Sequence, residues 1–178
     1  MFSVGQLVVY GGEGVCRVEY IGEATSAQVG HGQAYYHLRP LYRTGTVLTP
    51  VETRVLMREV ISAAEARALI EELPALAPLE LPQGNPRLAK DYYHQCVMRY
   101  DCREMAALIK AIAAKREAVL AAGRKVSQLD ERYLKRAEDQ LYGELAAVLG
   151  TERGQVAELI RRSWPGWPEK LPEPAAEA

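Results

Sequence analysis

Three cysteines and three histidines are all that this 178-residue chain offers as soft metal ligands or imidazole bases. Cys16, Cys96 and Cys102 are too few and too scattered for a disulfide framework, so reduced thiols are expected. His94 and Cys96 stand two apart on a helical pattern, where side chains diverge by roughly 200° and cannot share a metal ion. His31 falls in a polar loop and His37 in a strand, neither beside a Ser, Cys or carboxylate arranged as a nucleophile or general base. No cofactor, no metal, no small-molecule substrate and no enzymatic activity are therefore expected. Nor is there an apolar run near the ~18 residues of a membrane helix, or any stretch like a targeting segment, so the expectation is a cytoplasmic protein without a membrane partner.

The net charge of −1 conceals an uneven distribution. Residues 1–80 carry 6 basic and 9 acidic side chains, whereas residues 86–136 carry 12 basic and 6 acidic. A polyanion would meet the second half of the chain rather than the first.

Strand signals fill the first sixty residues. Apolar positions around Val4, Val8, Tyr10, Val15 and Val18 are interrupted by Gly11, Gly12 and Gly14, which predicts two strands and a tight turn, with no room for a signal peptide in front. The glycines could be mistaken for a phosphate cradle. No helix and no Lys-Ser/Thr pair follow them, so a hairpin turn is the better reading. Further strands are expected over 33–42 and 46–51. Short strands with glycine turns favour a small SH3/Tudor-like β barrel, because closure removes exposed edges. Tyr35, Tyr36 and Tyr42 could stack nucleobases, but with only Arg39 and Arg43 nearby they read as core and surface ring.

From Ser62 the apolar period lengthens to that of a helix. Ser62 and Glu65 form a capping box, and Asn85-Pro86 starts a second helix with Pro at its first position. Asp101 caps a third helix that Gly123 stops, Ser127 opens a fourth that Gly150 ends, and Thr151 caps a last one. Prolines 74, 78 and 82 suggest a stiff linker. The fold class expected is α+β in two modules, the barrel followed by an all-α helical bundle. The divisions are 1–61 for the barrel, 62–84 for the first helix and linker, 85–163 for the bundle and 164–178 for a flexible tail. Arg87 and Lys90 at one helix start, Arg124 and Lys125 in a loop, and Arg132, Lys135 and Arg136 on one helix flank could meet phosphates.

The stretch from Phe2 to Val18 resembles the start of the RNA-polymerase-interacting domain of the CarD family, F-x-V-G-D-x-V-V-Y-P-x-H-G-V-G-x-I. It departs from that pattern at Gln6, Gly11, Glu13 and Cys16. Tyr35–Leu38, Pro50–Thr53, Arg58–Ser62 and Leu141-Tyr-Gly-Glu-Leu-Ala146 look like further family segments, so the likeness runs from about 2 to 163. The first sixty residues also suit the homologous domain of the transcription-repair coupling factor, whose helicase does not follow here. The resemblance implies a non-enzymatic bacterial transcription regulator. It would bind the RNA polymerase β subunit by strand-edge pairing and stabilise the promoter open complex through weak, largely non-specific DNA contacts. By position, the polymerase-facing residues would be Thr25, Ser26, Gln28, Val47, Leu48 and Thr49. The DNA-facing ones would be Pro86, Arg87, Lys90, Arg124, Lys125 and Arg132, with Pro86 where relatives carry a wedge tryptophan. The alternative is a polymerase- or protein-interaction module without a DNA-wedge role.

Overall fold

A computed structural model describes residues 1–23 and 32–169. Five strands, β1 (Leu7–Tyr10), β2 (Gly14–Glu23), β3 (Ala34–Pro40), β4 (Val47–Pro50) and β5 (Met57–Glu59), form one antiparallel sheet in the order β4-β3-β2-β1-β5. Five helices follow: α1 (Ala63–Glu72), α2 (Pro86–Met98), α3 (Cys102–Ala121), α4 (Gln128–Leu149) and α5 (Val156–Ser163). The α+β class is as expected. The closed barrel is not: β4 and β5 are both edges, and no ladder joins them among the described residues. The sheet curls instead, far enough for the Tyr10 hydroxyl on β1 to donate to Thr49 Oγ1 on β4 at 3.1 Å, across two intervening strands.

Both faces of the curled sheet are covered near β1 and β2, which explains why Leu7–Tyr10 reads as an apolar run and not as a strict alternation. Val8, Cys16, Val18, Tyr36 and Leu38 fill the concave side. Val9 and Val15 point the other way and join the core of the helices. The turn between β1 and β2 is the expected hairpin, with Gly12 and Gly14 at positive φ. β5 was not anticipated as a strand. It adds to β1 in the register Val9↔Arg58, which fixes where the Arg58 side chain emerges.

Most of the helix boundaries follow the caps. Ser62 accepts from Glu65 N–H while the Glu65 carboxylate accepts from Ser62 N–H; Asn85, Asp101 and Ser127 cap α2, α3 and α4 through their side chains. Gly150 closes α4 in the left-handed conformation. The expected Thr151 cap is replaced by a single 3-10 turn over Arg153–Gln155, and α5 begins only at Val156. Toward the end of α3 the apolar side chains reach the surface: Val119 is only half-buried and Leu120 is 53% exposed.

The proline-rich stretch after α1 is packed, not suspended. Leu76, Leu79 and Leu81 lie against the helical core, Leu79 N–H donates to the Ala107 carbonyl, and the Lys110 ammonium donates to the carbonyls of Leu73 and Leu76. Trp164 and Trp167 were expected to begin a frayed tail, and they do not. Trp167 is 2% exposed, its indole N–H donates to the Tyr142 hydroxyl at 2.8 Å, and its ring meets that of Trp164 edge to face. Apolar area and a satisfied indole outweigh the helix-breaking prolines around them.

Candidate polymerase-docking edge and cationic surface

The sheet is locked to the helices around one buried carboxylate. Glu144, only 3% exposed, takes Arg58 on both oxygens at 2.6 and 2.7 Å and also accepts from Ile61 N–H at 2.9 Å. The Cys102 thiol donates to it at 3.1 Å. Arg58 also donates to the Tyr100 carbonyl. Tyr100, a non-glycine residue at φ 52°, turns the chain from α2 into α3 and accepts the Gly12 N–H on its hydroxyl. One residue before Glu144, the Gly143 carbonyl accepts from the Tyr42 hydroxyl at 2.8 Å, and a Cβ at Gly143 would stand 3.1 Å from the Tyr42 ring. All six residues of Leu141–Ala146 are buried. Their pattern therefore has a physical origin: apolar positions for the bundle, a glycine for close approach, and a carboxylate that receives the sheet.

Burial controls the ionisable groups inside. The Cys16 thiol is pushed up to about 12 and the Cys96 thiol to about 11, in both cases first by burial and then by nearby Glu13 and Glu104 respectively. Burial, then the adjacent Glu144, also raises the Cys102 thiol. None of the three is a poised thiolate. Cys96 is buried while His94 is exposed, as their spacing required, and no cluster of His, Cys, Asp and Glu that could hold a metal ion occurs among the described residues. No helix among the described residues is long and apolar enough to cross a membrane.

β4 is an edge whose backbone can be assigned residue by residue. Val51 N–H donates to the Ala34 carbonyl at 3.0 Å, and the pairing continues as Pro50↔Tyr35, Thr49↔Tyr36, His37↔Leu48 and Leu38↔Val47. Bonded pairs alternate in an antiparallel ladder, so Val47 and Thr49 turn their backbone groups toward β3. Leu48 then directs its N–H and C=O outward, and its side chain is 39% exposed. The three expected β4 residues thus divide. Leu48 faces out, Val47 is half-buried on the concave core, and Thr49 is 1% exposed and bonded to Tyr10. Thr49 is not a contact side chain, because the curl of the sheet turns it inward. Thr25, Ser26 and Gln28 lie outside the described residues. Beside Leu48, the half-buried His37 packs edge-on to the exposed Tyr20 ring, at 5.0 Å between centroids, and the end of the Tyr20 ring lies over Gly22, where a Cβ would have to push it aside. A cross-strand row of Tyr20, His37 and Leu48 thus leads from β2 across the sheet to the β4 edge, which the sequence did not single out.

The expected DNA-facing residues are all exposed, and some converge. The Tyr93 hydroxyl and the Lys115 ammonium both reach Asp130, at 2.7 and 2.8 Å, tying together α2, α3 and the start of α4. Lys90 and Arg132 share a surface depression with Tyr133 and Arg136. Arg124 and Lys125 follow the end of α3 and do not line that depression. Pro86 is the first residue of α2, where the Asn85 cap and a missing N–H account for it fully. The apolar side chain that stands free there is Leu88, 56% exposed between Arg87 and Lys90. The tryptophans are structural. Tyr35 and Tyr36 are buried and Tyr42 is bonded to Gly143, so the three tyrosines form no stacking platform.

These observations define a curled sheet, unpaired along β4 among the described residues and fixed to a helical bundle. Residues 2–61 match the family model of the CarD-like/TRCF RID domain, ending where the first helix is about to begin. The chain thus carries a CarD-like RNA-polymerase-interacting domain, and the edge strand belongs to it. No curated protein matches the chain.

Proposed function

We propose that the protein is a non-catalytic bacterial transcription regulator acting in the cytoplasm. It docks on the β subunit of RNA polymerase through β4 and holds its helical module against promoter DNA to stabilise the open complex. The observation that carries this reading is the outward N–H and C=O of Leu48 at the free edge of β4, ready to extend the sheet into a partner strand. Arg87, Lys90 and Arg132 supply phosphate contacts that position without reading sequence, and Leu88 supplies the apolar tip that Pro86 does not.

The test is Leu48→Pro. Proline is tolerated on a strand edge where the N–H faces solvent, so the fold is retained while one docking donor is removed. Affinity for the isolated polymerase β subunit should fall by roughly tenfold, the cost of a donor lost and its partner carbonyl stranded. Unchanged affinity in a folded variant would refute the edge-pairing model. A second reading, a polymerase-interaction module without a role at DNA, is favoured by the assignment of Pro86 to helix initiation. Reversing the charge of Arg87 and Lys90 separates the two: a shortened open-complex lifetime with intact β binding supports the first, and an unchanged lifetime the second.

A further inference from the structure

A cavity of about 500 Å³ lies where the β1–β2 hairpin meets α4. On α4, Arg132, Lys135, Arg136 and Asp139 recur at spacings of three and four, so one stripe of the helix faces it. The rest of its lining comes from the hairpin with Glu13, from Tyr42 and Arg43, and from Arg153. Five cations therefore meet two carboxylates. Glu13 is already engaged by Arg43 at 3.4 Å. Arg132, Lys135, Arg136 and Arg153 form no ion pair within 4.0 Å among the described residues. Two of them are held by rings instead: Arg153 over Tyr42 at 4.9 Å and Arg132 over Tyr133 at 5.5 Å. The charges are thus arranged in advance, and the two carboxylates of the cleft leave an excess of three positive charges.

We propose that this cleft binds a compact polyphosphate, the phosphate chain of a nucleoside triphosphate or an inorganic polyphosphate, as a regulatory ligand. Three or four negative charges within a few ångströms match the four unpaired cations, and guanidinium groups bond phosphate oxygens in pairs. The volume lies in the range of small-ligand sites. Walls on two sides, one from the sheet and one from α4, suit a compact anion better than a duplex, whose phosphates lie along an open surface. A ligand held between Arg43 and α4 bridges the two modules and tightens their junction. The proposal rests on the cleft alone and does not depend on polymerase docking.

The experiment is calorimetric titration of the full chain with tripolyphosphate, ATP, AMP and orthophosphate near physiological ionic strength. Tripolyphosphate and ATP should bind at least about tenfold more tightly than AMP and orthophosphate. Lys135→Gln and Arg153→Gln should each weaken them about fivefold or more, whereas Arg162→Gln, on the exposed side of α5, should not. Lys135 is exposed and its side chain forms no hydrogen bond or ion pair among the described residues, so its variant folds. ATP binding more tightly than tripolyphosphate assigns a contact to the nucleoside; equal affinities assign the phosphate chain alone. The proposal fails if tripolyphosphate gives no saturable heat up to millimolar concentration. It fails equally if only a duplex oligonucleotide binds and loses affinity in Lys135→Gln, which would make the cleft part of a DNA track.

Discussion

Removing Arg58 should destabilise the whole protein far more than removing an ordinary surface arginine. Its guanidinium supplies two of the four hydrogen bonds to Glu144, whose side chain is 4% exposed while that of Arg58 is 29% exposed. In Arg58→Ala the carboxylate stays buried, keeping only Ile61 N–H and the Cys102 thiol. Breaking a buried pair from one side costs about 3–5 kcal/mol. The space vacated by Arg58 admits water, which places this variant near the lower end, about 3 kcal/mol, or a fall in Tm of roughly 6–12 °C for a chain of this size. Glu144→Gln is milder, about 2 kcal/mol, because the amide oxygen still accepts from Ile61 and the stranded arginine can reach solvent. The double variant Arg58→Ala/Glu144→Gln should cost less than the two singles together, by roughly 1–3 kcal/mol of coupling. Urea unfolding of the full chain, with an unchanged m-value, measures all three. A loss below about 1 kcal/mol for Arg58→Ala, or a coupling near zero, would show that water already solvates Glu144 and that the junction does not depend on this pair.

Trp167→Ala should cost about 3–5 kcal/mol, since it empties a fully buried site and strands the Tyr142 hydroxyl; a thermal melt of the full chain reads this directly. Stability should be flat from pH 6 to about 8.5 and fall above pH 9. The raised thiols of Cys16, Cys96 and Cys102 contribute fully below the unfolded thiol value, and that contribution is lost as pH climbs through the folded values of about 12 and about 11. Urea midpoints across that range check it, and Cys16→Ala should flatten the alkaline limb. Leu88→Ala should leave the unfolding midpoint within about 0.5 kcal/mol while shortening the open-complex lifetime, because the side chain touches solvent and not the core.

Local chemistry carried most of the boundaries. Ser62, Asn85, Asp101, Ser127 and Gly150 each act within a turn of their own position, so their spacing to the next apolar residue was enough. Features that depend on distant partners were not legible. Met57-Arg-Glu59 shows no alternation and becomes a strand only because β1 offers a free side. Thr49 looks like a polar edge residue until the curl brings Tyr10 to it. Leu79 and Leu81 sit among prolines, yet α3 provides the surface that fixes them. On the site, the helical stripe Arg132-Lys135-Arg136 was visible as periodicity. Arg43 and Arg153, far away in sequence, join it only through the packing of the hairpin and the 3-10 turn against α4.

The position of Glu144 decides how firmly the sheet and the helical module are held together. A free proline linker would let the helical module sample many orientations, and each productive contact at DNA would then cost ordering entropy. Here the sheet is bonded to α4 through Arg58, Ile61 and Tyr42, and to the α2–α3 turn through Gly12. The linker itself is packed on α3. On the proposed function, docking at the β4 edge would set the direction of α2 and α4 at the same time, and the cationic surface would arrive already oriented. Preorganisation of this kind lets individually weak phosphate contacts act together, because only the first binding event has to fix the geometry. It also makes the junction the sensitive point. A variant that loosens Glu144 without touching either binding surface should leave polymerase affinity intact and still weaken the effect at DNA, which a regulator with independent modules would not show.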